Sequence, residues 1–238
     1  MTDKSPASAR LAQARLYGIL DLGYASEDSL EQMAAQLCKG GVDHVQLRAK
    51  GREDFEIEEM ANRVAPMFRD AGVPLIINDF PELVPSVGAD GAHVGQDDFT
   101  VADARWRAGR AIAGEVPPPI IGKSTHSVEQ AVAAAAEGAD YIGFGPLFPT
   151  PTKAGRPAIG IEDIARVHAL VSVPIFCIGG VKLENLDPVI AARQYAAMSF
   201  ACRMPLTITT RRAPAAITTS RFSSFTPPMQ KIGALTSA

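Results

Sequence analysis

The chain has 238 residues, 47% of them hydrophobic and 21% charged, with a formal net charge of −3. That length suits one large α/β domain or two small ones, and the slightly acidic balance excludes a general nucleic-acid binder, which carries a basic excess. No apolar run approaches the roughly 18 residues that span a bilayer, and "MTDKSPASARLAQ" at the start lacks the apolar centre of a secretory signal. The three cysteines, Cys38, Cys177 and Cys202, form no CxxC pair and read as reduced thiols of a cytoplasmic protein.

After an N-terminal extension (1–15), the first β-rich run is "LYGILDL" (16–22). In the following "SLEQMAAQLCKGG", Leu30, Met33, Ala34, Leu37 and Cys38 keep the i, i+3, i+4 rhythm of a helix, and Gly40–Gly41 ends it. The second run, "HVQLRAK" (44–50), ends in charge. Alternate strand residues share a face, so Gln46, Arg48 and Lys50 point the same way, and two cations there demand an anion. The third run, "PLIIND" (74–79), ends in Asn78 and Asp79, and the fourth, "AHVGQDD" (92–98), in Gln96, Asp97 and Asp98. Within it His93 reads as a packed or hydrogen-bonded histidine, and Trp106 is expected to pack on the next helix.

A polyproline-like "EVPPPII" leads to the fifth run, "IIGKSTH" (120–126), which offers Ser124, Thr125 and His126. "SVEQAVAAAAEGAD" then reads as a helix with Ser127 as N-cap and Gly138 as its stop. The sixth run, "YIGFGPLF" (141–148), is followed by Thr150, Thr152 and Lys153, and the seventh, "VPIFCIGG" (173–180), ends in Gly179–Gly180. "VGAD" and "EGAD" recur just before strands as short helix-to-strand loops.

Strict β–α alternation implies a parallel sheet with helical crossovers. Seven units at this spacing suit a TIM (β/α)₈ barrel better than an open doubly wound sheet, and no GxGxxG follows the first strand. The eighth unit is degenerate or missing. "QYAAMSFAC" is a poor eighth strand, and without a better one strands 1 and 7 are left as edges. Residues 188–238 hold six Lys or Arg and no acid, whereas residues 1–187 carry a net −9. Residues 193–238 therefore read as a basic, disordered tail; a reading-frame slip produces the same abrupt shift.

In such a barrel the strand C-terminal ends share one rim, where active sites form. Taken singly, "ND" is a turn, "QDD" a loop into a helix, "STHS" a helix cap and "TPTKAG" a surface loop. Taken together, cations and acids from separate strands point to a phosphate bridged by a divalent metal, with Arg and Lys on the oxygens and Asp79 and Asp98 on Mg²⁺.

"QLRAK", "IIND", "GAHVGQDD", "KSTH", "GFGPLFPTPTK" and "CIGGV", in this order, resemble the thiamine phosphate synthase (thiamine-phosphate pyrophosphorylase) family over residues 16–192. The resemblance implies a transferase that joins 4-amino-2-methyl-5-hydroxymethylpyrimidine diphosphate to 4-methyl-5-(2-phosphoethyl)thiazole with Mg²⁺, releasing pyrophosphate. It implies that Gln46, Arg48, Lys50 and Asn78 cradle the pyrimidine diphosphate, with Ser124 a further contact and Lys153 on the pyrophosphate. Asp79 and Asp98 match the Mg²⁺ ligands, and Thr150, Thr152 and Gly180 the thiazole phosphate site. Arg48, Lys50, Ser124 and Lys153 are the expected catalytic set. Two alternatives stand beside it: a non-catalytic relative that binds diphosphate, and a thiazole tautomerase with His126 as acid–base. Small-molecule substrates are the expected partners, with neither nucleic acid nor membrane; a homo-oligomer is left open.

Overall fold

The computed structural model of the chain describes residues 10–11, 13–24, 26–109, 118–150, 157–196 and 206–209. The elements alternate as the sequence predicts. They are β1 (Leu16–Asp21), α1 (Leu30–Lys39), β2 (His44–Arg48), α2 (Asp54–Asp70), β3 (Leu75–Asn78), a short α3 (Val84–Val87), β4 (Gly91–Val94) and α4 (Val101–Gly109). Then come β5 (Ile120–Thr125), α5 (Val128–Ala136), β6 (Tyr141–Phe144), α6 (Glu162–Leu170), β7 (Ile175–Cys177), α7 (Leu186–Ala196) and β8 (Leu206–Thr209). The strands are parallel and close into a barrel in chain order.

Two apolar clusters hold the barrel, one on each face of the sheet. On the outer face Leu20, Val45, Leu47, Ile77 and Ile142 pack against helix residues such as Leu30, Ala34, Val64 and Phe68. The inner face carries Tyr17, Ile19, Ile76, Ile120, Tyr141 and Phe176, joined by Leu11 and Ala14. Both of the latter are buried, so part of the segment before β1 is packed against the barrel interior rather than extending from it. The recurring Asp before strands has a tethering role. Asp43 accepts the Leu16 amide at 2.8 Å, Asp90 the Leu75 amide at 2.9 Å and Asp140 the Ile121 amide at 2.8 Å. Each carboxylate thus ties the start of one strand to the loop that enters the next.

The helix stops and caps fall where the sequence puts them. The Ser127 side chain accepts the Gln130 amide, and Gly138 takes the left-handed φ of 88° that ends α5. Trp106 departs from expectation: it is 60% exposed on α4.

The barrel closes through β8. It pairs with β1 from Leu16–Leu206 to Ile19–Thr209, and with β7 at Cys177–Leu206 alone. Strands 1 and 7 are therefore paired, and the eighth strand is present but short. "QYAAMSFAC" does not supply it, because Gln194–Ala196 lie in α7. The run "IAARQYA" is rich in Ala, which favours helix, whereas "LTIT" ends in three successive β-branched residues. The rest of the expected tail, 197–205 and 210–238, lies outside the described residues. Among the described residues no helix is long and apolar enough to cross a membrane.

Candidate active site

The strands are shorter than the apolar runs suggest, and this decides what the rim is made of. β2 ends at Arg48, so Lys50 stands in the following loop, exposed, and not on the face of Gln46. β4 ends at Val94, which puts Gln96, Asp97 and Asp98 in a turn above the strand. The functional side chains are thus carried partly by strand ends and partly by the loops directly after them.

At that end the barrel opens into a cavity of about 410 Å³. Gln46 from β2, Arg48 at its end, Asn78 from β3, Ser124 from β5, Thr150 after β6 and Gly180 after β7 all line it. Six predicted site residues from five strand ends converge on one space. Thr152 and Lys153 lie outside the described residues.

Arg48 is not waiting for an anion alone. Its Nη1 lies 2.6 Å from Oδ2 of Asp21, the last residue of β1, which is 2% exposed. The other carboxylate oxygen, Oδ1, accepts the Gly23 amide at 2.9 Å. Asp21 also lines the cavity, yet at the end of "LYGILD" it reads in the sequence as no more than a strand terminus. A carboxylate placed there fixes the guanidinium fork while leaving donors for a second anion.

Asp79 and Asp98 come together above β3 and β4. The Asp79 backbone is left-handed, φ 66°, a conformation costing most residues roughly 1–2 kcal/mol but eased for Asp and Asn. Its amide donates to the His93 carbonyl at 2.9 Å, which pins the turn. Burial raises the Asp79 carboxyl above its ordinary range, and the Asp98 charge, with which it shares a hydrogen bond, raises it further; Lys50 and Asn78 pull the other way. Lys50 is therefore within electrostatic reach of the acid pair although it leaves the strand. Asp98 Oδ2 also accepts the Gly95 amide at 2.8 Å, an approach that a Cβ on residue 95, 2.4 Å from that oxygen, would obstruct. Among the described residues no group of three His, Cys, Asp or Glu gathers to hold a metal.

Ser124 Oγ lies 2.9 Å from His93 Nε2, and its carbonyl accepts from the Gln96 side chain. Gln96 thus braces β5 rather than facing a ligand alone. His93 is the hydrogen-bonded histidine the sequence predicts, 8% exposed. On its other side Nδ1 lies 3.0 Å from the Tyr141 hydroxyl, which lies 2.7 Å from that of Tyr17. The two phenols were absent from the expected site. His126 lines the cavity too, with Nδ1 bonded to the Gly145 carbonyl and its amide donating to Gln130 Oε1.

The loops after β6 and β7 are zipped together. The Leu147 amide donates to the Ile178 carbonyl at 2.9 Å and the Phe148 amide to that of Gly179 at 3.0 Å. Gly179 and Gly180 both have positive φ, 89° and 67°. A Cβ on residue 180 would sit 2.8 Å from Phe148, so only glycine brings this backbone against the loop that carries Thr150. Asn185, which no motif in the sequence marks, donates to the Gly180 carbonyl at 3.0 Å.

Comparison with known proteins places this geometry. The family model described as thiamine monophosphate synthase matches residues 16–200. A thiamine-phosphate synthase of Thermus thermophilus is 42% identical over 171 residues, which span 71% of this chain and 78% of that protein. One from Shouchella clausii is 37% identical over 179 residues, covering 75% and 82%. Among solved structures, the thiamine phosphate pyrophosphorylase of Pyrococcus furiosus superposes with a TM-score of 0.67 at 25% identity, over 84% of this chain and 87% of that one. A 3-hexulose-6-phosphate synthase, at 16% identity and a TM-score of 0.57, shares the fold alone. The chain belongs to the thiamine monophosphate synthase family.

Proposed function

We propose that the chain condenses 4-amino-2-methyl-5-hydroxymethylpyrimidine diphosphate with 4-methyl-5-(2-phosphoethyl)thiazole to give thiamine monophosphate and pyrophosphate. The observation that carries this reading is the convergence of Gln46, Arg48, Asn78, Ser124, Thr150 and Gly180 on one cavity, in a chain 42% identical to a thiamine-phosphate synthase. The cavity has a polar, cationic wall and an apolar floor of Ile19, Phe176 and Ile178, as a flat heteroaromatic ring bearing a diphosphate requires.

In this reading the C–O bond between the pyrimidine methylene carbon and the diphosphate breaks first. Pyrophosphate departs with the electron pair, and the positive charge left on carbon spreads into the aminopyrimidine. The thiazole nitrogen then closes the new C–N bond. No covalent nucleophile is needed, so the protein's work is positioning and stabilising the charge that grows on the leaving group. Arg48, oriented by Asp21, and Lys50 supply cations, with Lys153 a third by the family resemblance; Ser124 donates a hydrogen bond. Thr150 and the Gly180 turn take the thiazole phosphate.

Asp79 and Asp98 fit Mg²⁺. Two acids share a hydrogen bond there, one of them with its carboxyl raised by burial and by its neighbour's charge, a pairing that a divalent cation relieves. Two carboxylates, with phosphate oxygens and water completing the shell, are the ligand set Mg²⁺ uses on phosphorylated substrates. When bound, Mg²⁺ supplies Lewis-acid neutralisation of diphosphate oxygens. The described cysteines, Cys38 and Cys177, are both free, which supports the cytoplasm as the site of action.

The test is a condensation assay on purified protein with both substrates and Mg²⁺. Formation of thiamine monophosphate supports the reading. Isomerisation of a thiazole without condensation favours a tautomerase, and no turnover with retained diphosphate binding favours a non-catalytic relative.

A further inference from the structure

We propose that Tyr17, Tyr141 and His93 form a one-way hydrogen-bond relay that holds the Ser124 hydroxyl with its proton aimed into the cavity, and that His93 is its positioning residue. The relay rests on the diphosphate reading in one respect only, the identity of the ligand that Ser124 faces.

The chain of contacts runs across the barrel interior. Gln46 Nε2 donates to the Tyr17 hydroxyl at 3.4 Å, and that hydroxyl lies 2.7 Å from the hydroxyl of Tyr141. The Tyr141 hydroxyl lies 3.0 Å from His93 Nδ1, and His93 Nε2 lies 2.9 Å from Ser124 Oγ. Each distance alone leaves the direction of donation open, but the partners do not. With the Gln46 amide oriented so that Nε2 faces Tyr17, that nitrogen only donates. The Tyr17 hydroxyl, buried with its ring, therefore accepts from Gln46 and has Tyr141 as the one partner of the two able to take its proton. Tyr141, now an acceptor from Tyr17, gives its own proton to His93 Nδ1. A neutral imidazole accepting at Nδ1 carries its hydrogen on Nε2, so His93 donates to Ser124 Oγ. The serine proton is left for the cavity that Ser124 lines.

Burial holds both phenols well above their usual range, so each keeps the proton it donates. A serine that donates suits an anionic oxygen; the reverse polarity would present lone pairs to it. The packing also guards the relay. A Cβ at Gly122 would fall 2.0 Å from Tyr141 Cζ and 2.4 Å from its hydroxyl.

Two measurements on the full-length protein decide it. In ¹⁵N-histidine NMR, with the His93 signals assigned by their loss in His93→Asn, the wild-type ring is expected as the neutral Nε2–H tautomer. Tyr141→Phe, which removes the donor to Nδ1, is expected to mix the tautomers. A wild-type Nδ1–H tautomer would overturn the relay whatever the ligand. In calorimetric titration with inorganic pyrophosphate and Mg²⁺, Ser124→Ala and His93→Asn are each expected to weaken binding by about tenfold, the scale of one hydrogen bond to a charged group. The double variant should be no weaker than either, because both remove the same contact. His93→Gln, whose amide reaches the Nε2 position, should recover most of the loss. Additive losses, or no recovery with Gln, would overturn the positioning role. Failure of the wild-type protein to bind pyrophosphate would instead overturn the diphosphate reading, and the tautomer alone would then decide the relay.

Discussion

Arg48 Nη1 and Asp21 Oδ2 sit 2.6 Å apart across the β1–β2 pair, joining the ends of the first two strands directly beneath the cavity mouth. The carboxylate is almost wholly buried and the guanidinium is 22% exposed, so the acid depends on the base more than the reverse.

Removing the cation should therefore damage the fold as well as the site. Arg48→Ala leaves a buried carboxylate without its charge partner, at a cost on the order of 2 kcal/mol after allowance for the partly exposed guanidinium. Adding Asp21→Asn should return most of that stability and none of the activity. Urea denaturation of the single and double variants measures this, and equal stability of the two would refute it.

Asp79→Asn tests the acid pair. Folding raises the Asp79 carboxyl, so the stability this group contributes is complete below its unfolded value of about 3.9 and is lost as pH rises through the folded value. At neutral pH the ionised group weighs against the fold. Asp79→Asn, which also suits the left-handed backbone, should melt higher than wild type at pH 7, with the gap closing toward pH 4. Mg²⁺ with pyrophosphate should raise the wild-type melting temperature and leave the variant's nearly unchanged. Identical Mg²⁺ titrations would remove Asp79 from the metal site.

Gly180→Ala should separate the two substrates. A methyl group there meets Phe148 at 2.8 Å and is held at φ 67°, so it strains the turn and displaces the loop bearing Thr150. The KM for the thiazole phosphate should rise roughly tenfold or more, a loss on the scale of a misplaced contact to a charged group. Pyrophosphate binding should be retained, and a proportional loss of both would place Gly180 in a general structural role.

Lys153 follows "PTPT" in the sequence between β6 and α6. With a dissociative displacement, loss of a cation on the leaving group lowers kcat by about 10² or more. Lys153→Ala with near-normal kcat would take that role away.

The sequence displayed the barrel through seven apolar runs separated by helical segments, and it displayed the rim because polar residues stop those runs. What escaped it has physical reasons. In a parallel barrel both faces of a strand are buried, so period-two alternation does not separate the interior from the helix side. Tyr17 and Tyr141 therefore looked like ordinary β-rich positions, although they point inward with His93. Asp21 ends an apolar run just as a turn residue would. Lys50 reads on the face of Gln46 because nothing in "HVQLRAK" marks where pairing stops, and β2 stops at Arg48. The eighth strand is hidden by its four-residue length and by arginine- and proline-rich neighbours, and it becomes a strand through pairing with β1 and β7.

The most direct test is a crystal structure of the full-length protein with Mg²⁺ and pyrophosphate. The diphosphate is expected at the C-terminal mouth of the barrel, within hydrogen-bond distance of Arg48 and Ser124, with the cation between it and Asp79 and Asp98. A diphosphate at the opposite end of the barrel, or one at the mouth touching neither Arg48 nor Ser124, would contradict the proposed site.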